Sequence, residues 1–119
     1  MSESNETNPS QSVMELPTQA LDLAGLVEYA NASIVSRTLL DIPTGSMTAF
    51  AFDAGQHLSE HRCPYEAVAI VLDGALVVTI GGEEIHAGGG QLVRMPANVP
   101  HSVAAEERCK MLLIMMKHV

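Results

Sequence analysis

The hydrophobic and polar positions of this chain change character near residue 33. Residues 1–15 are mostly Ser, Asn, Glu and Gln, with too little hydrophobic surface to offset the entropy lost on ordering. We therefore expect residues 1–15 to form a flexible tail. Residues 16–26 are richer in apolar side chains, and Leu23 and Leu26 lie at helical spacing, which predicts one short helical turn.

From residue 33 onwards, short apolar runs alternate with turn residues, as is typical of β-strands. The predicted strands are 33–42, 47–52, 66–72, 75–80, 83–87, 91–95, 101–104 and 108–116. Pro43-Thr44-Gly45 and Gly81-Gly82 predict turns, and Asp73-Gly74 predicts a type I′ hairpin between the strands on either side of it. Turn signals recur at intervals of about eight to twelve residues without a helical crossover, so the pattern predicts an all-β sandwich or barrel.

Length, charge and cysteine content narrow the class of protein. The chain has 119 residues, enough for one domain, which we place at residues 16–119. Its net charge is −8 and its six basic residues are scattered, which argues against a nucleic-acid partner. No apolar run is long enough for a membrane helix, and no signal peptide is recognisable. With only two cysteines, the sequence predicts a reducing, cytoplasmic setting.

The segment from His61 to Glu66 holds the side chains that ligate transition metals. It contains an imidazole, a thiol at Cys63 and a carboxylate, and His101 follows on a separate strand. Because side chains alternate along a strand, His57, Ser59, His61 and Cys63 are predicted to share one face if that segment is extended.

Glu66 shares its face with three apolar residues, Val68, Ile70 and Leu72, so we expect this face to point inward. A carboxylate there is costly unless it is paired or bound to metal. His101, with Val103 and Ala105, is also expected to point inward. Each residue alone has a simpler interpretation: a hydrogen-bonded core histidine, a small buried cysteine or an exposed glutamate.

Together these residues resemble the two motifs of the cupin family. Gly55-x5-His61-x-Cys63-x2-Glu66-x7-Gly74 is similar to the first motif, in which a glycine precedes His-x-His, a glutamate and a second glycine. Gly90-x5-Pro96-x-Asn98-x2-His101 is similar to the second motif, with Asn98 in place of a glycine. The resemblance covers about residues 33–117 and implies a double-stranded β-helix, the jelly-roll barrel.

The resemblance also implies a bound divalent transition metal, such as Fe, Zn, Mn, Ni or Cu. Carried over by position, the metal ligands are His61, Cys63, Glu66 and His101, with Cys63 in the place of a second histidine. A thiolate is softer than an imidazole and favours zinc, copper or iron over manganese.

Several functions stay open. The first is a metal-dependent oxygenase or isomerase acting on a small molecule, with His57 and Tyr65 as candidate catalytic groups for proton transfer. The second is a barrel that binds or senses a metal or small ligand without turnover. The third is a metal-free isomerase that uses His61 and His101 as acid and base.

The last predicted strand, 108–116, is apolar on both faces. One face can pack inside the barrel, and the other requires a cover. The N-terminal segment or a second subunit can supply it, and we predict a homodimer.

Overall fold

The computed structural model describes residues 11–13 and 16–117, with side chains from residue 16 onwards. Most of the predicted flexible tail, residues 1–15, therefore lies outside the described residues. Of that segment the structure gives a short strand, Gln11–Val13, which pairs in parallel with the next strand of the chain.

The described residues form ten strands and one short 3-10 helix. The strands are β1 Gln11–Val13, β2 Ile34–Ile42, β3 Gly45–Phe52, β4 His57–His61, β5 Glu66–Asp73, β6 Ala75–Ile80, β7 Glu83–Gly88, β8 Leu92–Met95, β9 His101–Ala104 and β10 Cys109–Met116. The 3-10 helix, Leu23–Gly25, confirms the predicted helical turn. No helix among these residues is long and apolar enough to cross a membrane.

The strands build two sheets that enclose a core. One sheet has six strands in the order β1-β2-β3-β10-β5-β8, and the other has four in the order β4-β9-β6-β7. Apart from the pairing of β1 with β2, all pairs are antiparallel. This arrangement confirms the predicted jelly-roll barrel.

Apolar side chains form two separate clusters. The interior cluster lies between the sheets and includes Phe52, Val71, Val78, Val103 and Met111. The outer cluster lies on the far face of the six-stranded sheet, where side chains of the N-terminal segment pack on residues such as Leu39, Ala49, Ala51 and Leu112. The face of β10 that required a cover is thus covered, at Leu112, by the chain's own N-terminal segment.

Polar contacts fasten this N-terminal segment to the barrel. Lys110 Nζ donates a hydrogen bond to the Ala24 carbonyl at 2.5 Å, and the Tyr29 hydroxyl donates one to Asp73 at 2.6 Å. Lys110 also lies 4.9 Å from the centre of the Tyr29 ring, a cation–π contact. Burial, followed by the hydrogen bond to Asp73, raises the pKa of Tyr29.

The predicted hairpin at Asp73-Gly74 is wrong. β5 belongs to the six-stranded sheet and β6 to the four-stranded sheet, so this dipeptide carries the chain from one sheet to the other. Gly74 has φ 77°, and a Cβ there would lie 2.1 Å from the Arg108 carbonyl oxygen. The glycine is required by this close approach as well as by its left-handed backbone. The predicted turn at Gly81-Gly82, in contrast, does join a hairpin, β6 to β7.

Candidate functional site

Two histidines from adjacent strands form the centre of the candidate site. β4 and β9 are antiparallel, and their register places His61 directly opposite His101. The ring centroids are 4.5 Å apart and the ring planes meet at 66°, an edge-to-face contact. His101 is buried, as predicted, whereas His61 is exposed to solvent.

Backbone carbonyls orient both imidazoles in the same way. His61 Nδ1 lies 3.2 Å from the Ser59 carbonyl oxygen, and His101 Nδ1 lies 3.3 Å from that of Val99. A carbonyl oxygen only accepts hydrogen bonds, so each Nδ1 carries the proton and the neutral ring keeps its lone pair on Nε2. Burial, and to a lesser degree the neighbouring His61, lowers the pKa of His101, which favours its neutral form.

An irregularity in β4 decides which side chains face the barrel interior. Leu58 is opposite Val103, but the next pair is His61 with His101, so the register shifts between Leu58 and His61. Leu58 and His61, three residues apart, therefore line the same interior cavity. His57 is exposed and lies outside that lining. The prediction that His57, Ser59, His61 and Cys63 share one face is wrong for this reason.

The histidine pair borders a small apolar cavity inside the barrel, here called the histidine cavity. Its volume is about 40 Å³, and a single water needs roughly 10–15 Å³ measured in this way, so it has room for a few waters. The lining residues are Leu58, His61, Cys63, Ala67, Met95, His101, Val103, Met111, Leu113 and Met115.

Cys63 reaches the cavity from the loop after β4. Its thiol lies 4.0 Å from the Met115 sulfur, with Cys63 as the donor. The Cys63 carbonyl accepts a hydrogen bond from the Asn98 amide at 2.8 Å, which ties the loop before β5 to the loop before β9. Asn98 has φ 67°, so the substitution of asparagine for glycine in the second motif retains the left-handed backbone.

Glu66 does not join the two histidines. One carboxylate oxygen accepts a hydrogen bond from Arg94 Nε at 2.8 Å, and the other accepts one from the Ala97 amide at 3.0 Å. The Arg94 hydrogen bond, then that of Ala97, lowers the pKa of Glu66. The inward residues of β5 are Ala67, Ala69 and Val71, members of the interior cluster.

The predicted inward orientation of Glu66, with Val68, Ile70 and Leu72, is therefore wrong. Ile70 and Leu72 pack in the outer cluster instead. β5 is apolar on both faces because both are covered, so hydrophobicity alone does not distinguish inside from outside.

The predicted four-ligand metal set does not fit this geometry. Two imidazoles are in contact, Cys63 lines the same cavity, and Glu66 is turned to Arg94. The described part of the chain contains no cluster of three or more His, Cys, Asp or Glu side chains able to hold a metal ion.

Tyr65, the second candidate catalytic residue, is half-buried and, like His57, is not part of the cavity lining. The motifs did not indicate several other lining residues, which are Leu58, Ala67, Leu113 and the three methionines Met95, Met111 and Met115. In β8, Met95 follows exposed Arg94, which is a signal for an inward position. In β10 both faces are apolar around Met111 and Met115, so the sequence does not show which face is inward.

The two sheets, the covered outer face and the histidine pair define a small jelly-roll barrel with two imidazoles at an interior cavity. A family model described as a cupin domain matches residues 49–115. Since this match covers more than half of the sequence, the chain belongs to the cupin family.

Solved structures agree with this assignment. A conserved protein of unknown function from Streptococcus pyogenes is 33% identical, with a TM-score of 0.83 over 87% of this chain and 91% of that one. A cupin 2 conserved barrel domain protein from Leptotrichia buccalis is 40% identical, with a TM-score of 0.80 over 82% of this chain and 47% of that one. A cupin superfamily protein from Desulfitobacterium hafniense is 25% identical, with a TM-score of 0.81 over 87% of this chain and 94% of that one. Comparison with curated proteins finds no significant match.

Proposed function

We propose that this cupin barrel binds a small ligand at the His61–His101 pair, inside the histidine cavity. The observation that carries the proposal is the contact between two imidazoles whose Nδ1 atoms are both bonded to backbone carbonyls. Their Nε2 lone pairs are thereby kept for a ligand, because backbone bonds of this kind fix both the tautomer and the ring orientation.

The walls of the cavity define the ligand further. Apart from the histidines and Cys63, they are aliphatic or thioether side chains. With about 40 Å³ available, the ligand, or the part of it that enters, is small. A compact group matches these walls. One end of it donates a hydrogen bond to an imidazole Nε2 or accepts the Nε2 lone pair, and the rest of it tolerates an apolar surface.

A second candidate function is metal-free proton transfer. It is favoured by the contrast between the two imidazoles, since His101 is buried with a lowered pKa and His61 is exposed. Neighbouring titratable groups in different environments suit acid and base roles in isomerisation. A divalent-metal oxygenase or isomerase requires ligands beyond this pair, and Ala67, the residue by which β5 reaches the cavity, supplies none.

Binding at the histidine pair is tested by nitrogen-15 NMR of the imidazole groups. A panel of small acids, alcohols, amines and thiols is titrated into the wild type, His61→Ala, His101→Ala and His57→Ala. We expect a binding ligand to shift the Nε2 resonances of the pair, and to lose affinity about tenfold or more in the first two variants. His57→Ala is the matched control because His57 lies outside the cavity.

The same panel separates binding from turnover. A ligand that is converted with wild-type protein, but not with either cavity variant, favours the proton-transfer candidate. A panel in which binding is unaffected by both His61→Ala and His101→Ala would contradict the proposed site.

Two further expectations accompany this proposal. Cys63 and Cys109 are both free thiols, which supports a reducing, cytoplasmic setting.

A homodimer is supported by exposed apolar side chains on the six-stranded sheet, among them Leu40, Ile42 and Met116. Ile42 and Met116 both pair with Gly45, so they lie in one row across three strands. Sedimentation of the wild type and of Ile42→Lys measures the oligomeric state directly, and a monomeric wild type would contradict the proposed homodimer.

A further inference from the structure

Cys63 is a free thiol that borders the histidine cavity and can be reached from solvent. Its side chain is half-buried, and it lines the cavity together with His61, which is exposed. The other thiol, Cys109, is completely buried and is not part of the cavity lining. Of the two thiols, only Cys63 therefore borders a space that a small molecule can enter.

The buried imidazole of His101 indicates what kind of molecule enters. Only 7% of the His101 surface is exposed, and its Nδ1 lies against the Val99 carbonyl oxygen. Its Nε2 has no hydrogen-bond partner among the residues that the structure describes. A buried acceptor without a partner is costly, so this wall of the cavity favours a molecule that donates a hydrogen bond. The Nε2 of His61 supplies a second acceptor at the same cavity.

The size of the cavity limits the molecule further. Its volume of about 40 Å³ admits a molecule comparable to two waters, which together need roughly 20–30 Å³. A molecule of that size which donates hydrogen bonds to two acceptors carries an O–H or N–H group at each end. Hydrogen peroxide has this form, and confinement in so small a volume holds it close to the Cys63 sulfur, a group that peroxide oxidises.

We propose that hydrogen peroxide is the substrate of the histidine cavity and that it oxidises Cys63 to a sulfenic acid. This inference rests on the proposed function, because it names the ligand of the same histidine pair. The Cys63 sulfur attacks one peroxide oxygen and forms an S–O bond, while the O–O bond breaks. The departing oxygen takes up the thiol proton and leaves as water. The sulfur loses two electrons, and the peroxide gains them.

The sulfenic acid is returned to the thiol by a small thiol from solution. Cys109 is enclosed in the interior cluster, away from the cavity lining, so the chain supplies no second thiol at Cys63. One small thiol condenses with the sulfenic acid to give a mixed disulfide and water, and a second releases Cys63 by thiol–disulfide exchange. Each cycle consumes one peroxide and two thiols and yields one disulfide and two waters.

The test measures the rate at which peroxide oxidises Cys63. Reduced full-length protein is mixed with hydrogen peroxide in the presence of dimedone, which labels a sulfenic acid and leaves methionine sulfoxide unlabelled. Mass spectrometry locates the label. We expect Cys63 to be labelled, faster than the thiol of N-acetylcysteine at the same pH, and Cys63→Ser to remain unlabelled.

The role of the histidines is tested by His61→Ala, a change at an exposed side chain. We expect it to slow the oxidation of Cys63 about tenfold or more, because the peroxide loses one of its two acceptors. His57→Ala is the matched control, since His57 is also an exposed histidine of β4 but lies outside the cavity lining. Circular dichroism melting curves confirm that both variants are folded.

The size of the oxidant provides a second measurement, made on the wild type alone. The bulky tert-butyl hydroperoxide exceeds the cavity volume, so we expect the preference of Cys63 for hydrogen peroxide over this oxidant to be larger than that of N-acetylcysteine. An equal preference would contradict oxidation inside the cavity.

The outcomes distinguish this inference from the proposed function. Oxidation of Cys63 that is no faster than that of N-acetylcysteine, or that is unchanged in His61→Ala, would overturn it. If that result is found while a ligand of the panel shifts the imidazole Nε2 resonances, the peroxide inference fails and the proposed function stands. If the histidine variants affect neither peroxide oxidation nor the binding of any panel ligand, both fail.

Discussion

Glu66 and Ala67 are neighbours in the chain, yet they lie on opposite faces of the six-stranded sheet. Ala67 is almost completely buried and lines the histidine cavity, whereas the Glu66 carboxylate lies outside it and forms an ion pair with Arg94. Successive side chains of a strand alternate between faces, so an offset of one residue is enough to remove a carboxylate from the site.

Moving the carboxylate by one residue should therefore create a divalent metal site. We expect Ala67→Glu to gain Zn(II) or Mn(II) binding, because the new carboxylate enters the cavity that His61 and His101 line. Glu66→Gln, the control, should leave metal affinity unchanged. Isothermal titration calorimetry measures both, and a larger effect of Glu66→Gln than of Ala67→Glu would contradict the orientation described for β5.

Gly74→Ala should destabilise the fold far more than Gly82→Ala. Both glycines have positive φ, 77° and 86°, but a Cβ at Gly74 meets the Arg108 carbonyl, and one at Gly82 meets nothing within 4 Å. We expect Gly82→Ala to cost about 1–2 kcal/mol from the backbone alone. Gly74→Ala should cost at least about 2 kcal/mol more in urea denaturation, and equal costs would contradict the close approach.

The N-terminal segment should depend on Lys110. Lys110→Met keeps most of the side chain but removes the partly buried hydrogen bond to the Ala24 carbonyl, which should lower the free energy of unfolding by about 1.5–3 kcal/mol. Lys117→Met removes a pair with Asp41 whose carboxylate is 60% exposed, and should cost under about 1 kcal/mol. Chemical denaturation compares the two variants, and equal losses would show that the segment is not fastened in this way.

The two thiols should differ in reactivity. Burial raises the pKa of Cys109 to about 12, and its side chain is fully enclosed, while Cys63 is only half-buried. A thiol-specific chromogenic reagent at pH 8 should therefore modify a single thiol of the native chain, since the thiolate is the reacting form. Cys63→Ser should abolish the fast reaction, and rapid modification of Cys109 in the folded protein would contradict its burial.

Acid should weaken the contact between Glu66 and Arg94. The folded-state pKa of Glu66 lies below its ordinary value of 4.5, so the contact stabilises the fold above pH 4.5 and is lost as the pH falls through the folded pKa. Arg94→Gln should lower Tm near pH 7 by roughly a few degrees at most, since the pair is exposed. This difference should shrink towards pH 3.

The matched control is Arg62→Gln. Arg62 is exposed and makes no ion pair with the part of the chain that the structure describes. Its substitution should leave the pH dependence of Tm unchanged, and a difference between wild type and Arg94→Gln that grows on acidification would contradict the assigned sign.

The spacing of turn residues and apolar runs predicted most of the strands and the barrel. The strand 75–80 and the strand 101–104 agree with β6 and β9 at both ends. These strands are bounded by residues with strong local preferences, such as Gly81 and Pro100. Strand β4 was the least evident, because its His, Ser and Glu residues lack alternation, and its bulge has no local sequence signature.

Sequence alone determined the fold family, through two motifs whose glycines, Asn98 and histidines have local backbone requirements. It also indicated that His101 points inward, because His101 shares its face with Val103 and Ala105, whereas Ser102 lies on the opposite face. Tertiary structure decided the composition of the site. β5 and β10 are apolar on both faces. The N-terminal segment packs on the outer face of their sheet, which leaves the other face as the interior, and there Ala67, not Glu66, faces the histidines.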